Sequence, residues 1–155
     1  MKNIFLTAGK KVLMLISFVL VTSCALKPIP SEYNVASQNQ GQVTASSLGN
    51  GKVLLYNGAN FLHTMDNTAR INIWIDDKAL GQLRPGEYVV VDLDNQQYNI
   101  ELLHLDAVKM RSRHSLKVDE DTKVIMVKPT VTSNKLEVTN VLPQNFDKYT
   151  FMMNR

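Results

Sequence analysis

The 155-residue sequence contains one cysteine, Cys24, so no intramolecular disulfide can form and no Cys-x-x-Cys pair exists for zinc or thiol exchange. Histidine is scarce as well: His63, His104 and His114 are the whole supply, and neither HxH nor HExxH occurs. No Gly-x-Ser-x-Gly is present, which removes the strained nucleophile turn of α/β-hydrolases. Long apolar runs are missing too. The one strongly apolar stretch, Val12 to Val21, falls well short of the roughly 20 residues that a membrane-spanning helix needs. Finally, no acidic residue precedes Cys24.

That last absence frames the first motif. Lys2, Lys10 and Lys11 form a positive leader, the apolar run follows, and Thr22-Ser23 supply small residues before Cys24. Charge, then a run of about 7–15 apolar residues, then small residues is the pattern of a secretory signal. A buried core helix has the same apolarity but no reason to begin behind lysines at the start of a chain.

The overall charge looks basic, with 17 Lys+Arg against 14 Asp+Glu. Subtracting the three lysines ahead of Cys24 leaves 14 of each sign in the exported chain. The basicity belongs to the leader, so a nucleic-acid partner is not expected.

Val21-Thr22-Ser23-Cys24 resembles a bacterial lipobox, an aliphatic residue and two small residues before a cysteine. The resemblance implies a diacylglyceryl thioether on Cys24, cleavage before it, and a membrane held through lipid, since each buried methylene contributes about 0.8 kcal/mol. An ordinary signal peptide with a chance cysteine is the bland alternative. In Gram-negative lipoproteins an aspartate after the cysteine favours the inner membrane; Ala25 stands here, which implies the outer membrane, facing the periplasm.

The sequence divides accordingly: residues 1–23 as signal peptide, 24–50 as lipidated cysteine and flexible tether, 51–142 as a folded domain, and 143–155 as a C-terminal tail that admits a short helix. The tether is read from its Pro, Ser, Gln, Asn and Gly content, which offers little burial to offset ordering. From Gly51, short runs rich in Val, Ile, Leu and Tyr (KVLLYN, ARINIWID, EYVVVDL, QYNIELLHL, MRSRHSLKV, TKVIMVKPTV, KLEVTNV) alternate with the turn-like pieces NGAN, DDKALG, RPG, LDN, DEDT and TSN. That rhythm predicts an all-β fold, a small antiparallel β-sandwich arranged as a meander, with DEDT as a hairpin turn. Alternation puts Ile71, Ile73 and Ile75 in the core and Asn72, Trp74 and Asp76 opposite.

Residues 51–142 resemble PEGA-like and related bacterial envelope domains, which have a prealbumin-like sandwich. The resemblance is carried by Lys52-Val53-Leu54-Leu55-Tyr56, by Ile73 to Lys78 with Leu80-Gly81-Gln82-Leu83, and by Pro85-Gly86-Glu87-Tyr88-Val89-Val90-Val91. Asp77 departs from it, standing where glycine is usual, as does the Asp94-Asn95-Gln96 turn. The resemblance implies no catalytic residues.

Three groups of side chains are candidates for chemistry. His104 and His114, on neighbouring strands around a turn at Asp106–Lys109, could share a face as the start of a metal site. Further ligands are thin, and ordinary polar positions are expected, with no metal or cofactor. The acidic groups Asp76-Asp77, Asp92/Asp94 and Asp119-Glu120-Asp121 fall between strands, where Asp and Asn bond their own backbone, so turn chemistry is expected rather than catalysis. The row Lys109, Arg111, Arg113 and Lys117 shares one side of a strand; it is either an anion-binding stripe or a solvated edge that deters aggregation. Trp74, the only tryptophan, is expected in the core, with contact to a partner or sugar ring as the alternative. The sequence therefore points to a non-catalytic, membrane-anchored envelope component that binds an envelope protein. An envelope polymer, peptidoglycan or lipopolysaccharide, is the second candidate ligand, and a hydrolase with an unrecognised site is the third reading.

Overall fold

The computed structural model describes residues 26–35, 43–59 and 68–152. The described residues form nine strands: β1 Lys52–Asn57, β2 Ile71–Ile75, β3 Lys78–Leu83, β4 Glu87–Asp92, β5 Gln97–Leu105, β6 Lys109–Lys117, β7 Val124–Pro129, β8 Asn134–Val138 and β9 Thr150–Phe151. They build two sheets, a five-stranded one in the order β8-β7-β1-β4-β9 and a four-stranded one in the order β3-β2-β5-β6. The protein is an all-β sandwich, as the strand rhythm predicts. Among the described residues no helix is long and apolar enough to cross a membrane.

The isoleucine row of β2 lies in the core, with Ile71, Ile73 and Ile75 fully buried. They meet Val53, Leu55, Val89, Val91, Ile125 and Val127 from the five-stranded sheet. Burial of such side chains, at about 1.5–3 kcal/mol each, is what joins the sheets. A second apolar layer lies on the outer face of the five-stranded sheet, where Leu54, Tyr56, Tyr88, Val90 and Val124 pack with Val43, Leu48, Phe146 and Tyr149. Two-sided burial explains why β1 and β4 read as continuous apolar runs rather than alternating ones.

Four expectations from the sequence are corrected here. First, the arrangement is not a simple meander: β1 pairs β7 in parallel, and β4 pairs β9 in parallel. Second, DEDT is not a hairpin turn. It carries the chain from β6 in one sheet to β7 in the other, held by Thr122 Oγ1 donating to Asp119 Oδ1 at 2.8 Å. Third, DDKALG is mostly strand. Only Asp76 and Asp77 form the turn between Ile75 and Lys78, both at positive φ (48° and 64°), as a two-residue hairpin loop of the mirror-image type requires.

Fourth, two pieces of the stretch expected to be a tether lie against the sandwich. Leu26 is buried, with its carbonyl accepting from Gln82 Nε2 at 3.2 Å, and the Lys27 carbonyl accepts from Asn72 Nδ2 at 2.9 Å. The Glu32 and Ala79 main chains meet at β3, where Glu32 N–H donates to the Ala79 carbonyl at 2.8 Å. Glu32 Oε2 accepts from the Ala79 N–H at 3.0 Å. Residues 43–48 cover the outer apolar layer. The tail is likewise packed. A 3-10 turn at Phe146–Lys148 leads into β9, and Met152 reaches the main core.

Candidate functional site

The outer face of the four-stranded sheet gathers the residues singled out by sequence. β5 and β6 form a hairpin in which Leu105 pairs Lys109, Leu103 pairs Arg111 and Glu101 pairs Arg113, while β2 sets Trp74 beside Glu101. Alternation then brings Trp74, Glu101, Arg111 and Arg113 together on one face. Arg111 Nη1 and Arg113 Nε both donate to the Glu101 carboxylate, the second at 2.9 Å. The Arg111 guanidinium also lies over the Trp74 ring, 5.5 Å from its centroid. Trp74 is therefore not a core residue: it is half-buried on the outer face beneath Arg111. The expectation failed because the isoleucine side faces the sandwich and the tryptophan side faces a cation rather than a second layer.

This geometry changes the character of the basic row. β6 is an edge strand, and Lys109, Arg111, Arg113 and Lys117 do project from one side of it, all exposed. Glu101 pairs with both central cations and offsets one of their two charges. Exposed pairs of this kind contribute roughly 0–1 kcal/mol, but they leave less charge for a bound anion. Glu101 escaped the sequence analysis, although its cross-strand parity with Arg113 was a usable signal.

The inner side of the same hairpin carries a polar seam. His104 and His114 both face inward, but they pair with Met110 and Ile100 respectively, so they are not neighbours. Asn134 of β8 and Ser112 link them. Asn134 Nδ2 donates to the carbonyls of Leu102 (3.3 Å) and Met110 (3.1 Å) and to Ser112 Oγ (3.1 Å). Those donations fix the amide orientation, so His104 Nδ1 must carry the proton it shares with Asn134 Oδ1 at 2.7 Å. Ser112 Oγ also shares a hydrogen bond with His114 Nε2 at 2.9 Å. Burial pushes the His114 imidazole below its ordinary value, against the opposing effect of its hydrogen bond with Asn134. The seam is a hydrogen-bonded chain that ties the two sheets together. Among the described residues no three His, Cys, Asp or Glu side chains are grouped to hold a metal ion.

Beside His104 lies an open cavity of about 430 Å³, bordered by Ala69, Asp106, Lys128 and Thr130. It sits where β5 turns into β6 and β7 into β8. The acidic groups lie elsewhere. Asp76 Oδ1 accepts from the Asn99 N–H at 2.7 Å, and the Asp119 carboxyl is held below the usual range chiefly by its Thr122 hydrogen bond. These two carboxylates complete turns. Cys24 and His63 lie outside the described residues.

Fold and site together define a small β-sandwich with a hydrogen-bonded interior seam and a cation-capped tryptophan on its outer face. No family model matches the chain, and no curated protein or solved structure matches it.

Proposed function

We propose that this chain is an envelope lipoprotein, acylated at Cys24, facing the periplasm from the outer membrane of a Gram-negative cell. It serves as a non-catalytic structural or accessory component that binds an envelope protein. The observation that carries this reading is that two residues after Cys24 the chain is already part of the sandwich, with Leu26 buried and its carbonyl bonded to Gln82. A lipidated cysteine at that position would begin a domain rather than a loose extension. For protein binding, β6 supplies a nine-residue edge strand, to which an extended partner segment can add.

The polymer reading has less support. Its contact residues are already engaged: Arg111 and Arg113 with Glu101, and Trp74 with the Arg111 guanidinium.

Cross-linking of the full-length protein in cells, followed by mass spectrometry, tests the proposal with a Cys24→Ser form as control. A stoichiometric protein partner, lost or weakened in the control, is the expected result. An acyl group absent from the Cys24 peptide, or an equal background in both forms, overturns it.

A further inference from the structure

The two ends of the sandwich differ in their balance of charge. At one end are the turns β2–β3, β4–β5 and the β6–β7 crossing, which hold seven carboxylates (Asp76, Asp77, Asp92, Asp94, Asp119, Glu120 and Asp121) against four lysines, Lys52, Lys78, Lys117 and Lys123. At the other end, β1, β3, β5 and β7 finish, and the β5–β6 and β7–β8 loops stand side by side. Asn134 at the start of β8 bonds both Leu102 of β5 and the Met110 carbonyl at the start of β6. This second end carries exposed Lys27, Lys109 and Lys128 and half-buried Arg70 and Arg84, against exposed Asp106 in the β5–β6 loop and buried Glu87 at the start of β4. It also carries two exposed valines, one at each loop: Val108 at 58% and Val131 at 85%. Apolar side chains presented beside lysines suit the headgroup boundary of an anionic bilayer.

The chain enters at this same end. Residues 26–33 run antiparallel to β3, from Gln82 back to Ala79 and Ile75, so Leu26 sits near the Leu83 end of β3. From Cys24 to Leu26 the backbone can extend at most about 7 Å, whereas a free tether over residues 24–50 would reach on the order of 90 Å. The longer leash would leave the domain free to tumble above the bilayer; the shorter one holds one end down.

We infer that the basic end of the sandwich, with the Val108 and Val131 loops, lies directly on an anionic phospholipid surface, and that the acidic turns point away from it. The inference rests on acylation at Cys24. The lipid fixes which end is near the membrane, the lysines meet the phosphates, and the two valines enter the headgroup boundary. The far side, including the outer part of β6 near Lys117, is left facing the periplasm for a partner.

The test uses the full-length, membrane-processed protein carrying Val108→Cys, Val131→Cys or Val141→Cys. Val141 is 68% exposed and follows the end of β8, near the acidic turns, so it is a control of the same residue type. With Cys24 acylated, each introduced thiol is the only one free to take a fluorophore. The protein is reconstituted into phosphatidylcholine vesicles containing about 30% phosphatidylglycerol and a headgroup-level nitroxide lipid quencher. The expected result is loss of emission from the labels at 108 and 131, with emission at 141 unchanged. A combined Lys109→Glu and Lys128→Glu change is expected to restore the lost emission. Equal quenching at all three positions, on protein whose Cys24 acyl mass is confirmed, overturns the docked orientation and leaves the lipoprotein reading standing. An unmodified Cys24 overturns both. Shielding of 108 and 131 by an added envelope protein extract but not by vesicles overturns the bilayer as the occupant in favour of a protein.

Discussion

Asn134 joins β5, β6 and β8 through one side-chain amide, bonding Leu102, Met110, Ser112 and His104. Replacing it with alanine strands the His104 N–H and removes the link between sheets, so Asn134→Ala is expected to lower stability by about 2–3 kcal/mol, read as a shift of the urea midpoint. His114, at the end of the same seam, is pushed below its ordinary 6.5 chiefly by burial. The unfolded chain therefore takes up that proton more readily than the folded one. The contribution of neutral His114 is complete above about 6.5 and is lost as pH falls from there toward the folded value. Urea midpoints measured between about pH 7.5 and pH 5 should fall with acidity, and fall less in His114→Gln. Neither role was legible beforehand. The sequence placed both histidines on one hairpin, but the residue that connects them comes from the other sheet.

At the scale of elements, β3 depends on a segment far from it in sequence. Its edge is covered by residues 26–33, with Glu32 bonding the Ala79 main chain both through its own N–H and through its carboxylate. Glu32→Ala is expected to release this cover, and hydrogen exchange at the Ala79 amide should quicken about tenfold for each 1.4 kcal/mol lost. Composition marked residues 26–35 as unstructured because Pro and Ser offer no periodicity, and that remains true locally: the segment is ordered by polar bonds to a finished sheet. The faces of β6, by contrast, were readable, since alternation in MRSRHSLKV assigns both of them. What alternation could not supply was the neighbour of each face. Arg111 covers Trp74, and Arg111→Ala should therefore raise acrylamide quenching of the lone tryptophan while leaving the urea midpoint within about 1 kcal/mol of wild type.

Across the whole molecule, the chain closes through its C-terminal part. Met152 lies in the main core, 2% exposed, and donates its N–H to the Tyr88 carbonyl, while Phe146 and Phe151 pack against Tyr88. Met152→Ala is expected to cost about 2–4 kcal/mol in chemical unfolding, where a loose appendage would show no change. The two apolar layers also explain how a chain with so few aromatic residues holds two sheets: the five-stranded sheet is buried on both faces, and its outer layer is completed by residues 43–48 and the tail.

The sequence by itself determined the β class, the strand faces and the turn character of the acidic groups. Those properties follow from alternation and from backbone preferences of single residues, which act within a few positions. The proposed anchor rests on the resemblance of Val21-Thr22-Ser23-Cys24 to a lipobox. Only the tertiary structure decided that β7 joins β1 in parallel across a sheet change, that Trp74 lies under Arg111, and that residues 26–35 dock on β3 rather than swing free. It decided too that basic residues from five separate segments, Lys27, Arg70, Arg84, Lys109 and Lys128, collect at one end. Each of these outcomes depends on which distant surfaces need covering, a property of the assembled sheets that no local pattern carries.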